Sequence, residues 1–296
     1  MTKHPELPLA KRVQKKGLPY LLLLPAMALF VAFTFYPFVK TIVLSFALTD
    51  KQGNFTKWIG IGNWIRILGK ESFWQTILIT LKMSAINLTG TIVIAMIFAL
   101  LANKKVRFSK LYQTMYALPM AIASSPAAAI FLFIYRQKNG LLNNLLGVER
   151  AWLLEQSSAI WCVCAMTIWM HIGTSFIFLL VGFRNVPEDL LESAWLDGAG
   201  PFRRIWHIIL PMASPQIFFV VFMNIANSFK TFAQIKLLTS GGPVNSTKTL
   251  IYYIYENAII NGRFETACVQ AIFLFLMIFL LTRIQFIFED KVVHYQ

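Results

Sequence analysis

Apolar and charged positions are segregated along this chain. Six stretches carry no Asp, Glu, Lys or Arg: Leu18–Val39, Met83–Asn103, Leu111–Tyr135, Gln156–Phe183, Ile205–Phe229 and Thr266–Thr282. They run 22, 21, 25, 28, 25 and 17 residues and fill 138 of the 296 positions. About 20 apolar residues cross the hydrocarbon core of a bilayer at ~1.5 Å per residue. Five stretches qualify as they stand, and the sixth does once Ile259, Ile260 and Phe264 before it, or Ile284 to Phe288 after it, extend it. The pattern predicts an all-α integral membrane protein with six transmembrane helices, spanning about 18–39, 73–103, 111–135, 156–183, 205–229 and 264–286. These lie in one transmembrane domain, 18–288, between a basic tail, 1–17, and a short tail, 289–296.

Punctuation between the spans refines this. Tyr36-Pro37 marks a membrane boundary, since a ring suits the interface and proline disfavours helix continuation. Residues 41–72 form a mixed outer loop in which Ile59-Gly60-Ile61-Gly62-Asn63-Trp64 predicts a turn into a short interfacial helix. Pro119 and Pro126, beside Ser124-Ser125, interrupt the third span. Such interruptions are tolerated where neighbouring helices satisfy the freed carbonyls, which places this span inside a bundle.

Composition agrees: 57% of residues are hydrophobic and 14% charged, against about a quarter charged in soluble domains. A two-domain soluble enzyme is excluded. The net charge of +14 sits between spans, so it reads as a topology signal and not as a nucleic-acid surface. Segments 1–17, 104–110, 184–204 and 283–296 hold 14 Lys and Arg in 59 residues, and the alternate segments 13 in 99. The denser set belongs in the cytoplasm, with both termini. Leu18–Val39 is long enough to span and no small-residue cleavage site follows it, so it is expected to be a helix and not a cleaved signal. Cys162, Cys164 and Cys268 fall inside spans and offer neither a disulfide framework nor a four-ligand metal site.

No Asp or Glu interrupts the counted stretches. Ion-coupled carriers need intramembrane carboxylates or broken helices that coordinate the ion, so energy for uphill transport must come from outside this chain. No G-x-x-x-x-G-K-[ST] loop occurs, so P-loop ATP binding belongs to another polypeptide. No catalytic constellation is present either, and the chain is not expected to be an enzyme.

The loop between spans four and five carries four of the thirteen acidic residues. Pro187, Glu188 and Asp189 start a helix, because proline fits the first turn and acids face the positive dipole end. Gly198, Gly200 and Pro201 stop it, and Phe202-Arg203-Arg204-Ile205 begins a second helix leading to span five. Leu191, Ala194 and Trp195 share one face of the first helix, with Glu188, Asp189 and Glu192 toward another. Helices that lie on headgroups favour Lys and Arg on the polar face. An acidic helix with a Trp/Leu face suits a protein cleft better.

At span five, Asn224, Asn227, Ser228 and Thr231 recur at i, i+3, i+4 and i+7, a single polar stripe. Such a stripe serves either hydroxyls stripped of water along a path or hydrogen bonding between helices. Span four adds Met170, His171 and Thr174. Phe176, Phe229 and Phe232 are candidate faces for stacking on a sugar ring.

Glu192-Ser193-Ala194, Asp197-Gly198-Ala199, then Ile208, Leu210-Pro211 and Pro215 resemble the Glu-Ala-Ala…Gly cytoplasmic loop of importer-type ABC permeases. Ser193 stands where the family usually has a second alanine. Gly140-Leu141-Leu142-Asn143-Asn144-Leu145-Leu146-Gly147, Leu238-Thr239-Ser240-Gly241-Gly242-Pro243 and Thr282-Arg283-Ile284-Gln285-Phe286 are similar, in the family's order, to carbohydrate permeases of the maltose and glycerol-phosphate type. The resemblance implies a type I-like importer permease subunit in a bacterial inner membrane, with an elbow of coupling helices at 187–208. Glu188, Glu192, Ala194, Trp195, Asp197, Gly198 and Ala199 would dock on the ATPase. The span-five stripe with Met170, His171 and Thr174 would line the sugar path, though His171 and Thr174 are not the types expected of a maltose site. The implied partners are a second homologous permease, two ATPase subunits that hold ATP-Mg, an extracytoplasmic solute-binding protein, membrane lipid and a carbohydrate. No cofactor is expected in this chain and no nucleic acid as a partner. A stand-alone secondary carrier or channel for a small polar solute is the alternative.

Overall fold

The computed structural model describes residues 9–103 and 109–292. Residues 1–8 of the predicted basic tail, 104–108 of the Lys/Arg-rich turn and 293–296 of the last tail lie outside the described residues. In chain order the helices and strands are α1 (Leu9–Phe30), α2 (Tyr36–Ser45), β1 (Ala47–Thr49), β2 (Phe55–Trp58), α3 (Gly62–Leu68), α4 (Glu71–Asn103) and α5 (Ser109–Ala117). They continue as α6 (Ser124–Ile134), α7 (Leu141–Leu146), α8 (Gln156–Arg184), α9 (Glu188–Leu196), α10 (Pro201–Arg204), α11 (Leu210–Met212) and α12 (Ser214–Ser228). The last three are α13 (Ala233–Leu238), α14 (Leu250–Tyr255) and α15 (Phe264–Val292). Among the described residues, four helices are long and apolar enough to cross a membrane, Leu18–Ser45, Glu71–Asn103, Gln156–Arg184 and Phe264–Glu289, or six if each of two bent pairs is one span.

The central pair is α4 and α8, which run parallel. Met83 packs with Val163 and Met166 at one end, while Ala95, Ala99 and Ala102 pack with Leu179, Leu180 and Phe183 at the other. The alanines recur at i, i+4 and i+7, the small-residue face that lets membrane helices approach closely. A third cluster, of Ile67, Phe73, Ile77, Leu250 and Val269, joins α3 and the start of α4 to α14 and α15.

The first bent pair falls where the prolines interrupt the third span, and the second breaks the stretch that the sequence predicts as the fifth. Residues Lys110–Ala121 and Ser124–Ile134 meet at 103°, and Pro201–Met212 and Ser214–Ser228 at 71°. The first bend follows from Pro119, which lacks an N–H for the helical ladder, and it is seated on α8. A Cβ added at Gly173 would stand 2.8 Å from the Ala117 carbonyl oxygen, so this glycine is what admits the broken backbone. The second bend lies at Ala213, fully buried between Pro211 and Pro215. Span five is therefore shorter than its charge-free stretch, and the first part of that stretch belongs to the elbow.

Outside the bundle, β1 and β2 pair antiparallel, Ala47 with Trp58 and Thr49 with Phe55, with a bulge between Leu48 and Thr49. The hairpin is tied to the bundle where Thr49 Oγ1 donates to Glu265 Oε2 at 2.6 Å. Asn143, inside the Gly140–Gly147 motif, organises the next loop. Its Nδ2 donates to the Gln137 and Arg150 carbonyls, each at 2.9 Å, and its Oδ1 accepts from Trp152 Nε1. By contrast, α1 is exposed from Leu18 to its end, and α2 meets α15 through Phe38 and Phe275, ring centroids 5.3 Å apart.

Candidate functional site

Sequence and structure meet at the contact between α8 and α12. His171, Thr174 and Ser175, one turn of α8, face Val220, Asn224 and Asn227 on α12 across a depression of about 40 Å³, with Phe178 and Met223 at its edges. Their spacing explains the grouping, since i, i+3 and i+4 share one helical face. Asn224 crosses the gap and donates through Nδ2 to Ser175 Oγ at 2.9 Å. The same nitrogen also donates to its own helix at the Val220 carbonyl, 2.8 Å away.

The predicted stripe therefore divides. Asn224 and Asn227 face the depression with His171 and Thr174, whereas Ser228 and Thr231 turn into the bundle. Ser228 Oγ donates to the Ile225 carbonyl and Thr231 Oγ1 to the Ser228 carbonyl. Asn87 Nδ2 on α4 reaches Thr231 Oγ1 at 3.4 Å. Met170 points elsewhere again, its sulfur accepting from Gln234 Nε2 at 3.5 Å. The three phenylalanines considered for ring stacking are packed. Phe176 and Phe229 are buried, Phe176 edge-on to Tyr116, and Phe232 lies against Tyr252 and Tyr255. Phe178 is the aromatic beside the depression.

A second polar line escapes the sequence analysis. Thr76, Thr80, Ser84, Asn87 and Thr91 are all buried along one face of α4. The spacing of four, four, three and four residues is helical and is readable from the chain once Thr and Ser are counted with Asn. Thr80 Oγ1 caps the start of α14 by accepting from Leu250 N at 2.8 Å. Asn87 Oδ1 and Ser84 Oγ are buried with no hydrogen-bond partner.

At the far end of α8 lies the elbow. Helix α9 starts after Pro187 and ends in a Schellman motif, with Gly198 N donating to Trp195 O at 3.0 Å and Ala199 N to Ala194 O at 2.9 Å. Gly198 has φ +77°, a backbone conformation natural to glycine. Pro201 opens α10 in the first-turn position. The face predicted from Leu191, Ala194 and Trp195 is split as well. Leu191 packs on the Phe183 cluster, but Trp195 is 64% exposed and stands out with Leu196, Phe202 and Trp206. Glu188, Asp189, Glu192 and Asp197 are exposed as well, and Ala194 and Ala199 are half-buried. Among the described residues no group of three His, Cys, Asp or Glu is placed to hold a metal ion.

The chain is similar over nearly its whole length to known transport proteins. It is 34% identical to the sn-glycerol-3-phosphate transport system permease protein UgpA of Yersinia pestis bv. Antiqua (strain Antiqua), covering 94% of this chain and 96% of that one. The corresponding protein of Agrobacterium fabrum (strain C58 / ATCC 33970) is 32% identical over 95% of this chain and 97% of its own. In fold it resembles a chain from the crystal structure of a bacterial alginate ABC transporter in complex with alginate pentasaccharide-bound periplasmic protein. That likeness has a TM-score of 0.83 at 23% identity, covering 96% of this chain and 98% of that one. The family model for the binding-protein-dependent transport system inner membrane component matches residues 91–294, two thirds of the chain and both halves of the candidate site. This chain is a member of that family, a multi-pass membrane component of a transport system and not an enzyme.

Proposed function

We propose that this chain is the membrane-spanning subunit of an ATP-driven importer for a polyhydroxylated solute of the carbohydrate class. It would form half of the translocation path and pair with a second, homologous permease. The observation that carries this reading is the depression of His171, Thr174, Asn224 and Asn227. Amide, hydroxyl and imidazole groups both donate and accept, as hydroxyls leaving water require. Lys and Arg are absent from its lining, so hydroxyls and not charge set the recognition there. The named relatives are permeases of sn-glycerol-3-phosphate transport systems and the structural neighbour is an alginate transporter, cargoes rich in hydroxyls that support the class.

Coupling falls to the elbow. Trp195, Leu196, Phe202 and Trp206 are large apolar side chains left exposed on the elbow, which also carries the exposed acids Glu188, Asp189, Glu192 and Asp197. Such a patch suits a cleft in two soluble ATPase subunits, which would hold the ATP and magnesium. Charge density along the chain supports a cytoplasmic elbow and cytoplasmic termini, and a solute-binding protein would meet the opposite face. The test is uptake of a panel of radiolabelled sugars by cells carrying Thr174→Ala with Asn227→Ala. Uptake should fall about tenfold while basal ATPase activity of the purified assembly stays within twofold. Unchanged uptake of every sugar would overturn the placement of the path.

A further inference from the structure

At the end of the bundle opposite the elbow, the start of α4, the first turn of α8 and the loop between α13 and α14 enclose a groove of about 560 Å³. That is within the ~300–1,000 Å³ usual for small-molecule sites. Gln75, Thr76, Gln156, Asn245 and Ser246 supply polar walls, and Tyr253 an aromatic one. Ser246 is 4% exposed and its Oγ has no hydrogen-bond partner. Leaving a buried hydroxyl unsatisfied costs about 1–3 kcal/mol, so a ligand that bonds to it recovers that cost.

The chemistry of the walls selects the ligand. Lys248 is the one charged residue lining the groove, and its Nζ lies 2.7 Å from Glu256 Oε2 and 5.4 Å above the Tyr253 ring. With that ammonium paired, the groove is neutral. Gln75 already donates to Glu71 Oε1 at 3.0 Å, leaving its carbonyl to accept. The amides of Gln156 and Asn245 both donate and accept. Mixed donors and acceptors beside one ring face, without free charge, match the hydroxyls of a sugar and not a phosphate. The loop is also held in an unusual backbone, with Val244 at φ +48° and Asn245 at φ +60°. Left-handed conformation is costly for valine.

Position links the groove to the depression. Gln156 precedes Thr174 by 18 residues, five turns of ~3.6 residues, so both stand on one face of α8 about 27 Å apart along its axis. We propose that this groove is a second, outer subsite for a neutral polyhydroxylated solute, occupied before the solute reaches His171 and Asn227. The proposal rests on the carbohydrate-import reading and adds a site to it.

The test uses the full-length chain in its assembled transporter, with Asn245→Cys as a reporter and the wild type as the labelling blank. A membrane-impermeant maleimide is applied with neutral mono-, di- and trisaccharides, with inorganic phosphate, or in vesicles of anionic phospholipid. At least one neutral sugar should slow labelling threefold or more, and phosphate should not. Equal protection by phosphate or by anionic lipid, or protection by no sugar, would overturn the subsite. Kinetics provide the second measurement. Gln156→Ala with Asn245→Ala should raise the half-saturating concentration for uptake at least threefold and leave the maximal rate within twofold. An unchanged half-saturation with Thr174→Ala/Asn227→Ala still defective removes the outer subsite alone. If both double variants transport normally, the carbohydrate path itself fails.

Discussion

Asn224 on α12 and Ser175 on α8 are joined by a hydrogen bond of 2.9 Å across the wall of the depression. Both residues are buried, so the amide that a sequence scan marks for a solute is already engaged between helices. The two asparagines of the stripe are therefore expected to fail differently when truncated.

Asn224→Ala should lower the stability of the purified chain by about 1–2 kcal/mol, the size of a lost buried hydrogen bond plus the hydroxyl left behind. Asn227→Ala, half-buried at the edge of the same depression, should leave thermal unfolding within about 0.5 kcal/mol and weaken uptake. Thermal melts of the two variants in detergent separate these roles, and equal destabilisation by both would show that Asn227 is packing too.

Gly198 offers a sharper test of coupling. A Cβ added there meets nothing within 4 Å, so what opposes substitution within the chain is its φ of +77°. Gly198→Leu should cost the chain about 1–2 kcal/mol, and Gly198→Asn less, since asparagine visits that conformation readily. If the elbow seats in an ATPase cleft, Gly198→Leu abolishes solute-stimulated ATP hydrolysis while Gly198→Asn retains a substantial part of it. Full coupling in Gly198→Leu would remove the elbow as the docking element.

Topology can be read directly with thiols. Cysteine at Lys51, on the exposed β1–β2 turn, should react with an impermeant maleimide in intact cells, and cysteine at Asp197 should react after lysis alone. The reverse pattern would place both termini outside.

The loop after α7 carries a pH signature. Arg150 Nε donates to Glu155 Oε2 at 2.7 Å, and the guanidinium holds the Glu155 carboxyl below the usual carboxylate range. A carboxylate with a lowered folded-state pKa contributes stability above its unfolded pKa of about 4.3 and loses it as pH falls through the folded value. Amide protection factors across residues 148–155, taken relative to the intrinsic exchange rate at each pH, should therefore fall as the pH drops below about 4. In Glu155→Gln that pH dependence should vanish.

Much of the fold is legible along the chain because a bilayer imposes a length on apolar segments and glycine and proline mark their ends. Pro187 and Gly198 flank α9 for reasons visible in four or five residues. The bends at Pro119 and Ala213 were harder to foresee. Proline marks a weakness, but the angle is set by partners distant in sequence, Gly173 beneath Ala117 in the first case. The candidate site shows the same division. Periodicity places Asn224, Asn227, Ser228 and Thr231 on one stripe, yet a stripe about 100° wide can face two neighbours, and here Asn87 on α4 takes Thr231. Leu191, Ala194 and Trp195 share one face of α9 by spacing, yet Leu191 packs on the Phe183 cluster while Trp195 stays exposed, because spacing cannot say how far the neighbouring helices reach.

The exposed first helix has a bearing on how the protein is made. From Leu18 to Phe30 no side chain is buried against the rest of the chain, so its transfer into lipid draws nothing from later segments. A nascent chain can commit this segment to the bilayer, and bias the in–out orientation of the spans that follow, before α8 or its contacts have been synthesised.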